Sequence, residues 1–149
     1  MKAKVNLEKL KARAADIRSA IEKIQTYTSL SETDFWADER NIYTVKYLLL
    51  QAMEALGSIC VHVLARRFQV AVSNYASCFQ ELEDKKVISP DLSKKLRKMI
   101  RFRNIMVHRY WEVDDKRVLE YARNDVQDML QMLKAVWEFI GIDSKHLDE

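Results

Sequence analysis

"YLLLQAMEALGSICVHVLA", residues 47–65, decides how this chain folds. Wound as a helix it is apolar on more than one face, and no proline interrupts it. Extended by "WADERNIYTVK" before it and "RRF" after it, the stretch reads as one helix ending near Phe68. Ser31, or Thr33 with Asp34 close by, is placed to cap its start. About 30 helical residues span roughly 45 Å, so this element is expected at the centre of a bundle or buried in a subunit interface. Gly57 within it either admits a close helix contact or is merely tolerated.

The same three-four periodicity recurs on both sides. Leu7, Leu10, Ala14, Ile17, Ile21 and Ile24 form the apolar stripe of an amphipathic helix, which "TYTSLSETDF" then ends. "VSNYASCFQELEDKKVI" predicts a shorter helix starting after Ser73 or Asn74. Pro90, following Ser89, suits the first turn of a fourth helix that runs to about Val107. After "EVDDK", the residues Val118, Ala122, Val126, Met129, Leu133, Val136 and Ile140 share one stripe of a last helix, and Gly141 is placed to stop it. The tail, about 143–149, is expected to fray.

The expectation is therefore an all-α, up-and-down bundle of about five helices in one domain spanning 1–149. Composition agrees: the 149 residues are 48% hydrophobic and include only two glycines and one proline, few breakers for so many helix formers. Formal net charge is +3, too mild by itself to indicate a polyanion partner. Cys60 and Cys78 lie in apolar helical runs without metal-knuckle or disulfide-framework spacing and read as reduced core thiols. No uninterrupted run of about 18 apolar residues occurs, so a soluble, cytoplasmic protein without a membrane segment is expected.

One polar residue disturbs the pattern. On the fourth helix Leu92, Leu96, Met99 or Ile100, position 103, and Met106 or Val107 keep the apolar step, which places Arg103 where a core residue belongs. An unpaired buried charge costs several kcal/mol, so Arg103 needs a carboxylate partner, a wet cleft or an anionic ligand. Residues 89–109 hold seven Lys or Arg against one acid, Asp91. The three lysines among them, Lys94, Lys95 and Lys98, read as solvated surface. Arg103 and His108 stand about 140° apart on a regular helix, whereas Asn104 and His108 share a face. Either the helix ends or bends before His108, or a second chain completes a shared cleft.

Taken alone, His108 reads as a structural histidine and Tyr110 as an aromatic packed beside Trp111. Their company changes that reading. "RNIMVHRY", residues 103–110, resembles the signature of HEPN-domain proteins, and the tyrosine two places after the histidine resembles the HepT toxin branch. "VKYLLLQAMEAL" and "AVSNYASCFQELEDKKVISPDLSKKLRKMIRFRNIMVHRYWEVD" extend the likeness over most of the chain.

The resemblance implies a helical protein that dimerises along its long helices, with the arginine and histidine of both protomers facing one cleft. It implies a metal-independent ribonuclease toxin without a cofactor, restrained by an MntA-like antitoxin of minimal nucleotidyltransferase fold that attaches AMP to the motif tyrosine. On this likeness Arg103 and His108 are the catalytic pair and Asn104 orients the substrate. Tyr110 is the modified residue. From the basic run itself, Arg97, Lys98, Arg101 and Arg109 are the candidates for contact with the RNA backbone.

An imidazole titrating at about pH 6.5 can take the proton from an attacking 2′-hydroxyl or return one to the leaving 5′-oxygen. His62, mid-helix, and His146, in the tail, have no metal-ligand spacing and read as structural or solvent-exposed. Glu54 and Glu81 are candidate pairing carboxylates, but acids on such helices default to solvated faces, and both are left outside the site. Two further readings stay open: a non-catalytic helical subunit that binds nucleotide or substrate for a nucleotidyltransferase, and a structural dimer in which Arg103 pairs with a buried acid.

Overall fold

Seven α-helices and one 3-10 turn follow one another through residues 4–141, the part of the chain that the computed structural model describes. They are α1 (Leu7–Thr28), α2 (Glu32–Ala37), α3 (Arg40–Phe68), α4 (Tyr75–Asp84), α5 (Pro90–His108), the 3-10 turn Tyr110–Glu112, α6 (Asp115–Asn124) and α7 (Gln127–Ile140). No strand occurs among the described residues. The expected fraying of 143–149 and the expectation for His146 lie outside them.

Local chemistry sets most of these boundaries. Asn6, Ser31, Asn74 and Ser89 each accept a backbone N–H of the first turn that follows, satisfying donors that have no intrahelical partner. Pro90 occupies the first turn of α5, as anticipated. Gly141 closes α7 in the left-handed conformation at φ 79°.

Two expected helices are each divided, so the count is seven rather than about five. The helix predicted from Ser31 onward breaks at Asp38, whose backbone leaves the helical region at φ −124°, ψ 110°. Its carboxylate accepts the Arg40 backbone N–H at 3.0 Å and the Arg40 guanidinium at 2.8–3.2 Å, while Asn41 Nδ2 donates to the freed carbonyl of Phe35 at 3.0 Å. Those bonds replace the helical ones that the break removes. The last helix divides between Asn124 and Gln127. Val126 in the gap remains buried, in phase with Ala122 before it and Met129 after it.

α1 lies along α3, α4 packs on both α3 and α5, and α6 and α7 close the bundle against α1, α3 and α5. One apolar cluster joins these helices, with Trp137, Phe35 and Phe79 the largest fully buried side chains. α3 is long and apolar enough to cross a membrane, with mean hydropathy 1.7 over an 18-residue window. Because 67% of that window is buried against the rest of the chain, α3 is the core helix of the bundle. Cys60 and Cys78 are buried free thiols, and burial followed by its neighbour Cys78 pushes the Cys60 thiol upward.

His62 is structural. It is buried on α3, and its Nε2 accepts the backbone N–H of Asn6 at 2.8 Å, tying the start of α1 to α3. Burial, then the charges of Lys9 and Arg66, hold its pKa below the ordinary 6.5. Protonating Nε2 would destroy the acceptor, so the unfolded chain takes up this proton more readily than the folded one. Stability is therefore complete above about pH 6.5 and declines as pH falls through the lower folded value. Denaturation midpoints measured from about pH 7 to 5 should show this decline, and His62→Gln, an acceptor that does not titrate, should flatten it. An unchanged slope in the variant would refute the assignment.

Candidate functional site

α5 carries Arg103, Asn104 and His108, and its apolar face decides where they point. Leu92, Leu96, Met99, Ile100 and Met106 are buried, and Arg103 continues that stripe with its side chain 19% exposed. The partner that a guanidinium in this position needs is Glu54 of α3. Glu54 Oε1 accepts from Arg103 Nε at 2.6 Å and stands 2.6 Å from Nη2. Arg103 Nη1 donates to Asn104 Oδ1 at 2.9 Å.

Glu54 was expected outside the site and stands inside it. Its Oε2 accepts the hydroxyl of Tyr75, the first residue of α4, at 3.1 Å. The Tyr75 ring also lies 5.7 Å from the Arg103 guanidinium carbon. Burial, then the Glu54 carboxylate, pushes the Tyr75 phenol above its usual range, so it remains a hydrogen-bond donor. Gly57, one turn beyond Glu54, leaves room for that ring: a Cβ there would lie 2.5–2.7 Å from Tyr75 ring atoms. Of the two readings left open for Gly57, the close contact holds.

Arg103, Asn104 and Tyr75 border an open cleft of about 670 Å³, with Glu54 behind them. Ile100, Asn104 and His108, spaced by four, line one side. Arg103 enters from the adjoining face, Asn74 and Tyr75 lie opposite, and Arg109 stands at the end. α5 runs uninterrupted through His108, so neither an earlier end of the helix nor a second chain is required for Arg103 and His108 to border the same space. Arg103 pairs with an acid, yet the pair is not sealed off, since the Glu54 side chain is 43% exposed.

The remaining predicted residues divide. Arg109 lines the cleft, with its Nη1 3.2 Å from Glu112 Oε2. Arg97 turns toward α4 instead, donating to Ser93 Oγ at 3.3 Å and standing 3.6 Å from Glu83. Lys98 and Arg101 are exposed and do not border the cleft. Tyr110 is not the packed aromatic it would be in isolation. It is 71% exposed on the 3-10 turn, meeting the 68% exposed Trp111 edge to face at 5.3 Å. Its side chain is open to solvent. Among the described residues no group of three or more His, Cys, Asp or Glu is placed to hold a metal ion.

Sequence reasoning considered Glu54 as a pairing carboxylate but left it outside the site, and did not single out Tyr75. A signal for the first was present: Glu54 is the one Asp or Glu between positions 40 and 80, an isolated carboxylate in the most apolar helix. Tyr75 carried no comparable mark.

Residues 17–136 match the family described as "Ribonuclease HepT-like". No curated protein matches the sequence. Several solved structures share the fold. One is the tri-AMPylated HEPN toxin of Shewanella oneidensis in complex with its MNT antitoxin, at TM-score 0.80 and 24% identity over 87% of this chain and 97% of that one. Another, the toxin–antitoxin with AMP-PNP, gives TM-score 0.79 and 23% identity over 86% and 97%. YutE, a cytosolic protein of unknown function from Bacillus subtilis, gives TM-score 0.78 at 15% identity over 94% and 93%.

Proposed function

Since the chain belongs to the HepT-like ribonuclease family of HEPN proteins, we propose that it is the toxin of a toxin–antitoxin pair: a metal-independent cytosolic endoribonuclease restrained by a nucleotidyltransferase-fold antitoxin. The observation that carries this reading is the meeting of Arg103, Asn104 and His108 at one open cleft. A guanidinium and an imidazole there suit a phosphodiester whose 2′-hydroxyl is the nucleophile.

In this reading Arg103 binds the scissile phosphate and offsets charge gathering on its non-bridging oxygens. His108 takes the proton of the 2′-hydroxyl as that oxygen attacks phosphorus, or protonates the departing 5′-oxygen. Asn104, bound to Arg103 and one helical turn before His108, keeps phosphate and imidazole in register. One imidazole cannot perform both proton transfers at the same moment. A homodimer that faces two copies of the cleft supplies the second. Arg109 contacts the RNA backbone from the end of the cleft, with Lys98, Arg101 and Arg97 as outlying basic residues.

Tyr110 is the control point. AMP attached to its exposed phenol adds negative charge and bulk beside Arg109 and His108, where an RNA phosphate must enter. The Shewanella oneidensis toxin is tri-AMPylated in complex with its antitoxin, which supports the same chemistry here.

Purified protein, incubated with total RNA in excess chelator, is expected to degrade it. The protein given ATP and its antitoxin is expected to gain the mass of one or more AMP groups and lose activity, while Tyr110→Phe gains none at this position and stays active. Intact RNA from unmodified protein freed of antitoxin would favour the non-catalytic subunit instead.

A further inference from the structure

Arg103 meets the cleft already engaged. A guanidinium has five N–H donors. Glu54 Oε1 accepts from Nε and lies 2.6 Å from Nη2 as an ion pair, and Asn104 Oδ1 accepts one donor of Nη1. The side edge of the plane is thus anchored on α3, and donors remain on both terminal nitrogens. Those donors are available to phosphate oxygens at the cleft.

The anchor is itself held. Glu54 Oε2 accepts from the Tyr75 hydroxyl, the Tyr75 ring faces the guanidinium, and the same ring fits only because Gly57 has no Cβ. Resting on the ribonuclease reading above, we propose that Glu54 is the positioning residue of Arg103, seated by Tyr75 against Gly57, and that it presents the terminal guanidinium fork to the scissile phosphate.

The electrostatics favour alignment over attraction. A carboxylate beside a phosphate site repels RNA, so Glu54 cannot serve there by drawing substrate in. What it removes is rotamer freedom from a long, flexible side chain before the substrate arrives. Misplacing a transition-state contact by about an ångström can cost about 100-fold in rate, which falls on kcat rather than on KM.

The test compares wild type, Glu54→Gln, Glu54→Ala and Tyr75→Phe in the full-length protein. Two readouts are taken: RNA cleavage divided into kcat and KM, and the Arg103 Nε–H resonance of ¹⁵N-labelled protein. In glutamine an amide oxygen still accepts from Arg103 and the amide nitrogen donates to the Tyr75 oxygen. Glu54→Gln should therefore keep kcat within about threefold of wild type, with the resonance sharp. Glu54→Ala should lower kcat by about tenfold or more with KM changed by less than about threefold, and should broaden the resonance by exchange with water. Tyr75→Phe should fall between them.

Glu54→Ala with wild-type kcat and an unmoved resonance would overturn the proposal. So would Glu54→Gln failing as badly as Glu54→Ala, which would make charge rather than alignment the requirement. Should wild type leave RNA intact, the ribonuclease reading fails, yet the resonance still reports whether Glu54 holds Arg103.

Discussion

Truncating His108 to alanine is expected to lower RNA cleavage by about 10²–10⁴-fold while leaving the thermal midpoint within about 2 °C. Both halves follow from where the residue sits. His108 is the last residue of α5, exposed at the cleft, and substitutions at such positions are worth within about 0.5 kcal/mol of stability. The backbone bond that closes the helix, Arg109 N–H to Ile105 carbonyl, does not involve the imidazole. Arg103→Ala should cost a similar factor in cleavage. Combining the two should cost little more than either, because both act in one transition state. Cleavage by His108→Ala above about a tenth of wild type would remove His108 from the chemistry. A collapse in thermal midpoint would show that it had been structural.

How legible the fold and site are depends on whether a signal is local. Ser31, Asn74 and Ser89 are caps of one residue beside their helices, and each functions as its sequence context indicates. The break after Asn124 is hidden because the apolar spacing of Ala122, Val126 and Met129 keeps its phase across it. A stripe that stays in phase looks like one helix. Asp38 is hidden for another reason: a half-buried acid in "WADERN" has the composition of a helix surface, and only its bonds to Arg40 reveal that it replaces the helical pattern.

Within the site, Arg103 announces itself by occupying an apolar phase position. Its partner lies 49 residues away, and no periodicity on α5 can point to it. The 140° between Arg103 and His108 was an obstacle only if a site must occupy one helical face. The cleft extends around α5, with residues 73–76 as its other side, and so it meets both. Tyr75 was the least legible member, since an aromatic opening an amphipathic helix ordinarily belongs to the core.

Gly57→Ala separates local propensity from tertiary fit by the sign of its effect. In an unobstructed helix interior, alanine is favoured over glycine by about 0.5–1 kcal/mol, so propensity alone predicts a higher thermal midpoint. Here the added methyl would lie 2.5–2.7 Å from Tyr75 Cζ, Cε1 and Cε2, closer than packed carbons approach. The ring has no easy retreat, because its hydroxyl is bound to Glu54 and its face meets Arg103. Overpacking of this kind costs about 1–3 kcal/mol, which for a chain of this length is a fall of roughly 3–10 °C. Cleavage should fall as well, because moving Tyr75 releases the carboxylate that holds Arg103. Removing the obstruction should reverse the sign: in a Tyr75→Ala background, Gly57→Ala should raise the midpoint, and the two substitutions should be strongly non-additive. A midpoint raised by Gly57→Ala in the otherwise unaltered protein would mean that Tyr75 is free to move aside and that the path from Gly57 to Arg103 carries no constraint.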